Sequence, residues 1–148
     1  MEIVGPLRRT QRGIRYILTV VNHFTKHDEA YELPDQQAVT IAGVFLNGFI
    51  SRFGVPCIIH MDQGASFELN MFKELFQLLN IKKTRTSPYH PQCDGQVERI
   101  NHTLIELLAL NVANPTENWD LNLGIVLIAY RSAVQSSTGI TPHFVVWP

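Results

Sequence analysis

Val55-Pro56-Cys57-Ile58-Ile59-His60-Met61-Asp62 is an apolar run that stops on a carboxylate. A short run of this kind reads as a buried strand, which puts Asp62 just past a strand end. Thirty-five residues further on, Gly95-Gln96-Val97-Glu98-Arg99-Ile100-Asn101 reads as the opening of a helix, with Glu98 about one turn in. A strand-end carboxylate and a helix carboxylate converge on one divalent cation when the two elements pack together. Mg²⁺ takes hard oxygen ligands, usually one or two carboxylates with water and substrate phosphate. The pair therefore points to metal-assisted phosphoryl transfer, and its placement to an α/β domain.

The rest of the chain supplies the layers. Tyr16 to Val21 is a nearly continuous β-branched run, as expected of a central strand covered on both faces. Glu29 to Leu33 is its expected neighbour, and Glu2 to Val4 a very short first strand that looks cut off, joined to Tyr16 by a turn carrying Gly5-Pro6 and several arginines. Ala38, Ala42, Phe45, Leu46, Phe49, Ile50 and Phe53 recur at helical spacing up to Gly54. After Asn70, a good N-cap, Phe72, Leu75, Phe76 and Leu79 make a second helical stripe that Asn80 is suited to stop. Ile81 to Thr84 reads as a last strand. Thr86 to Asp94, with Pro88 and Pro91, reads as a loop. On the Glu98 helix, Val97, Leu104, Leu107 and Leu108 form the inward stripe, with Glu98, Asn101, His102 and Ile105 on another face. Trp119 to Ala133 is apolar on nearly every side, more than one core explains, so this helix is expected to meet a second copy in a homodimer.

A chain of 148 residues, 45% hydrophobic, is sized for one domain spanning residues 1–148. Its net charge of −1 supplies no global pull toward DNA, so any DNA contact is local. The two cysteines, Cys57 and Cys93, and six scattered histidines have no zinc-ligand spacing. No apolar run approaches a membrane span, and the chain reads as soluble and intracellular.

Ile59-His60-Met61-Asp62-Gln63-Gly64-Ala65-Ser66-Phe67-Glu68 and Thr86-Ser87-Pro88-Tyr89-His90-Pro91-Gln92-Cys93-Asp94-Gly95-Gln96-Val97-Glu98-Arg99 closely resemble the catalytic core of integrases from gypsy-type LTR retrotransposons and, more distantly, retroviruses. Ile3-Val4-Gly5-Pro6-Leu7, Phe24-Thr25-Lys26, Phe53-Gly54-Val55-Pro56, Ala129-Tyr130-Arg131 and Ser137-Thr138-Gly139-Ile140-Thr141-Pro142 extend the likeness over nearly the whole chain. The resemblance implies an RNase H-like three-layer fold, a mixed sheet with helices on both faces. It also implies a polynucleotidyl transferase of the D-D-E type, in which two Mg²⁺ or Mn²⁺ ions, about 3.5 to 4 Å apart, serve end processing and strand transfer into target DNA. Glu2, Asp62 and Glu98 take the catalytic and metal-ligand positions. The family's zinc module and C-terminal DNA-binding module are not expected within this chain.

Glu2 stands where the family has Asp. Its extra methylene moves the oxygens by on the order of 1 Å, against a tolerance of about 0.5 Å for catalytic geometry, so weak activity is expected. Asn101 is placed to orient a metal-bound carboxylate by a hydrogen bond. Lys82, Lys83 and Arg85 are a basic run suited to phosphate contacts. The resemblance adds Tyr89, Gln92, Asp94 and Gln96 as residues that approach DNA. An active integrase would work in the nucleus. Two other readings remain: a non-catalytic or captured remnant that binds nucleic acid or self-associates, and a ribonuclease H-type nuclease.

Overall fold

The computed structural model describes residues 1–61, 70–85, 91–111 and 118–146. Among the described residues the chain forms five strands and six α-helices, the first three strands preceding the first helix. Strands β1 (Glu2–Val4), β2 (Tyr16–Val21) and β3 (Asp28–Leu33) form an antiparallel sheet with β2 in the middle, Glu2 opposite Thr19 and Val21 opposite Asp28. β4 (Ile58–Met61) and β5 (Lys82–Arg85) pair in parallel. The Met1 ammonium donates to the His60 carbonyl at 2.8 Å, and this bond brings β1 alongside β4.

β2 shows why the sheet is a middle layer. Leu18 and Val20 pack into a core with Ala38, Ile41 and Ala42 of α1 (Ala38–Val44) and Phe72 and Phe76 of α3 (Asn70–Leu78). Ile17, on the opposite side of the pleat, packs with Leu104 and Leu108 of α4 (Pro91–Asn111) and Leu123, Val126 and Leu127 of α5 (Leu123–Ser132). Alternate residues of one strand thus serve two helical layers, the reason its sequence is apolar throughout. Among the described residues no helix is long and apolar enough to cross a membrane.

The first helical region is not uniform. After α1 the backbone widens into π turns over Phe45–Ile50 before α2 (Ser51–Phe53). Gly48 lies in that stretch, and a Cβ there would come within 2.6 Å of the Tyr31 ring, so glycine lets the helix settle on β3. α3 ends as the sequence suggests. Asn80 takes φ 55°, Ile81 N–H donates to Phe76 O at 2.8 Å and Asn80 N–H to Gln77 O at 3.1 Å, a Schellman stop.

Three expectations need correcting. Residues 91–94 belong to α4 and not to a loop, because proline is tolerated in the first turn of a helix, where its missing N–H has no partner to lose. Glu98 consequently stands about two turns into its helix. The late segment is split into a 3₁₀ turn (Trp119–Asn122) and α5, followed by α6 (Pro142–Val146). Asp120 holds that turn in place: its side chain is buried and accepts from Thr10 Oγ1 and from Arg12, both at 3.2 Å, while Trp119 Nε1 donates to the Arg8 carbonyl at 2.7 Å.

Candidate active site

The site is assembled around the start of β1. β2 fixes Glu2 from one side by strand pairing, with Thr19 Oγ1 donating to the Glu2 carbonyl at 3.3 Å. The Met1–His60 bond fixes the strand from the other side. From the helix layer, Asn101 Nδ2 donates to Glu2 Oε2 at 2.7 Å. Glu98 is exposed one turn earlier on the same helix.

Asn101 is not on a solvent face. It is 7% exposed, while His102 beside it is open to solvent. Val97, Asn101, Leu104 and Leu108 share one inward stripe by the i, i+4, i+7 rule, and all four are buried. The polar member of that stripe is tolerated because its amide N–H meets Glu2; leaving a buried amide without a partner costs about 1 to 3 kcal/mol. Its Oδ1, also buried, meets no hydrogen-bond donor among the described residues.

Of the other residues singled out, Asp62 and Tyr89 lie outside the described residues. Lys82 is exposed and Lys83 partly so, both on β5, and Arg85 closes that strand level with Met61. Gln92, Asp94 and Gln96 stand on the first two turns of α4. His60, given no role from sequence, couples the strands: its Nδ1 lies 2.9 Å from Thr84 Oγ1, which in turn donates to the Ile59 carbonyl at 3.3 Å.

A second polar cluster went unnoticed in the sequence. Asp28 and Glu29 on β3 are buried and share Arg131 of α5, which donates from Nε to the Asp28 carbonyl at 2.9 Å and reaches Glu29 Oε1 at 3.0 Å through Nη2. His27 Nε2 is 3.1 Å from the same Glu29 oxygen. Burial, only partly offset by Arg131, pushes the Asp28 carboxyl up to about 6. At Glu29 burial acts the same way but is outweighed by the His27 hydrogen bond and by Arg131 and Arg52, so its carboxyl sits below the ordinary range. Burial also raises the Tyr130 hydroxyl to about 12, helped by Asp28. The cluster clamps α5 to the sheet.

An antiparallel three-stranded sheet beside a parallel strand pair, with helices on both faces and carboxylates on the first strand and the fourth helix, is the RNase H-like architecture, and similarity to known proteins makes the assignment specific. The sequence profile of the integrase core domain matches residues 1–91, and the chain belongs to that family. The Pro-Pol polyprotein of simian foamy virus type 3 is 33% identical over 144 residues, covering 97% of this chain and 12% of the viral protein. The chain thus spans about an eighth of that relative's length. The catalytic core domain of BIV integrase superposes with a TM-score of 0.74 at 25% identity, over 97% of this chain and 90% of that one. The HTLV-2 integrase catalytic core domain, solved in complex with magnesium in a trimeric form, gives 0.71 at 22% identity, over 88% and 83%.

Proposed function

We propose that this chain is the catalytic core of a gypsy-type retrotransposon integrase, joining DNA ends to target DNA with Glu2, Asp62 and Glu98 as its acidic centre. The observation that carries the reading is the Asn101–Glu2 hydrogen bond, which ties the helix bearing Glu98 to the strand bearing Glu2. Asn101 holds that carboxylate through a neutral amide, which adds no charge to the site. Among the described residues no group of three His, Cys, Asp or Glu side chains forms a metal site, and Asp62 is not one of those residues. The donor set nevertheless fits Mg²⁺ or Mn²⁺, since every ligand would be a carboxylate oxygen. Two bound ions would neutralise charge on the attacking and leaving oxygens of an in-line phosphoryl displacement. The chain's own part is positional: Asn101 orients Glu2, and Asp62 follows directly on β4 in sequence. Lys82, Lys83 and Arg85, on the strand next to β4, would hold the phosphate backbone, with Tyr89, Gln92, Asp94 and Gln96 nearer the DNA end. Acting on chromosomal DNA, the enzyme would work in the nucleus.

The test is joining of a labelled 3′-hydroxyl oligonucleotide to plasmid DNA, with Mg²⁺, Mn²⁺ or EDTA, by the chain and its Asp62→Asn variant. Metal-dependent joining that Asp62→Asn removes supports the reading. Joining that survives EDTA or the substitution overturns it. The longer reach of Glu2 favours a second reading, a core that binds metal and DNA without turnover. Metal-induced stabilisation with no joined product in either metal would select it.

The proposal includes a homodimer. Leu121, Ile125 and Ile128 recur at i, i+4 and i+7 and are 62%, 60% and 65% exposed, while Leu123, Val126 and Leu127 fill the core side of α5. One face of α5 thus completes this domain's core and the other presents an apolar stripe, the kind of surface that marks association. Sedimentation at micromolar concentration is expected to show a dimer, and Ile125→Lys with Ile128→Lys a folded monomer. A wild-type monomer would refute the dimer.

A further inference from the structure

Four of the chain's twelve lysine and arginine residues fall within residues 8–15, a stretch with no Asp or Glu. The rest of the chain carries eight basic against thirteen acidic side chains, so the net charge of −1 conceals an uneven distribution. Arg8, Arg9, Arg12 and Arg15 all lie on the turn between β1 and β2, and all are exposed. Backbone bonds close that turn. Leu7 N–H donates to Arg15 O at 2.7 Å, Thr10 N–H to Ile14 O at 3.0 Å and Gly13 N–H to Thr10 O at 2.9 Å, with Gly13 reversing the chain at φ 83°. From beneath, Thr10 Oγ1 accepts from Ile14 N–H and donates to Asp120, and Trp119 Nε1 donates to the Arg8 carbonyl. The arginines stand on a fixed frame, so little backbone ordering is left for a ligand to impose.

The domain itself uses only one of the four guanidinium groups. Arg12 reaches Glu32 at 2.9 Å and Asp120 at 3.2 Å, whereas Arg8, Arg9 and Arg15 make no side-chain hydrogen bond or ion pair among the described residues. The turn also lacks the apolar anchor on which a protein interface centres: Leu7 packs against the core and Ile14 is buried within it. What it offers is positive charge in planar forks, the geometry that meets phosphate oxygens in pairs. Because β1 runs from Glu2 to Val4 and the turn follows Val4, these forks lie off the end of the strand away from Glu2.

We propose that Arg8, Arg9 and Arg15 form a second nucleic-acid contact, outside the candidate active site, that grips the phosphodiester backbone without reading sequence. It requires neither metal nor turnover. DNA and RNA present the same backbone chemistry, and the test separates them.

Binding of fluorescent DNA and RNA duplexes of about 20 base pairs is measured in EDTA between about 50 and 200 mM salt. The proteins compared are the wild-type chain, a triple variant with Arg8→Gln, Arg9→Gln and Arg15→Gln, and the corresponding triple Lys variant. Each phosphate contact on B-DNA contributes about 0.9 to the slope of log affinity against log salt. The Gln variant is therefore expected to lose about 2 to 3 from that slope, and the Lys variant, which keeps the charge, to retain it. Arginine Nε–H signals of the wild-type protein report the contact without any substitution, and those of Arg8, Arg9 and Arg15 should shift when duplex is added. An effect with only one of the two duplexes supports the proposal and identifies its source. An unchanged slope in a folded Gln variant, or unmoved Nε–H signals, overturns it. So do signals that respond to poly-glutamate but to neither duplex, which would assign the turn to an acidic protein segment.

Discussion

Glu98→Gln is expected to lower metal-dependent strand transfer by about a thousandfold while leaving the fold intact. The two halves of that statement have separate causes. Glu98 is exposed on α4 and lies outside the buried stripe of Val97, Asn101, Leu104 and Leu108, and surface substitutions of this kind change stability by about 0.5 kcal/mol or less. Its proposed work is electrostatic. An amide in place of the carboxylate withdraws one negative charge from a metal site, and metal stabilisation of a phosphoryl transition state amounts to several kcal/mol. A loss of about 4 kcal/mol corresponds to a factor of about a thousand in rate. Single-turnover joining assays beside thermal unfolding separate the two effects. A variant that unfolds earlier and joins DNA normally per folded molecule would show that Glu98 has a structural role only.

What the sequence disclosed of this fold follows the range of the forces involved. Tyr16 to Val21 has its observed limits because an uninterrupted β-branched run has no competing local state, and Asn80 ends α3 because the left-handed stop is a property of one residue. Pro91 is ambiguous because proline suits loops and opens helices with equal ease, and only the turns that follow decide between them. The π turns over Phe45–Ile50 depend on Gly48 meeting Tyr31, a tertiary contact no local pattern encodes. The carboxylates of the candidate site could be picked out singly. Their linkage could not, since Asn101 and Glu2 are ninety-nine residues apart. The heptad stripe from Val97 to Leu108 was nonetheless a usable signal: a polar residue on an apolar stripe needs a buried partner, and a carboxylate was the natural one to seek.

The charged cluster on β3 is the clearest case of long-range control, and Arg131→Met is expected to cost about 3 to 5 kcal/mol of stability at pH 7.5, the range found when one partner of a buried ion pair is removed. Arg131 is 103 residues from Asp28 and is mostly buried with it. Without the guanidinium, Asp28 and Glu29 are neighbouring buried carboxyls whose remaining cation, Arg52, is 3.6 Å from Glu29 and itself half exposed. The pH dependence follows from the two carboxyls. Asp28 has its value raised from 3.8 to about 6 by burial, so its contribution to stability is complete below pH 3.8 and is lost as pH rises through about 6. Glu29, held below its ordinary 4.5, contributes above that value and loses its contribution as pH falls through its folded value. Removing Arg131 takes away a lowering influence on both, moving Asp28 further up and Glu29 with it. The variant's deficit should therefore be largest at pH 7.5 and shrink at pH 5, where Asp28 takes up a proton and no longer needs a cation. Arg131→Lys should recover only part of the loss, because an ammonium cannot reach the Asp28 carbonyl and Glu29 together through a planar fork. Urea unfolding of the three proteins at both pH values measures this directly, and an equal deficit at pH 5 and pH 7.5 would mean that Arg131 acts by packing rather than by charge.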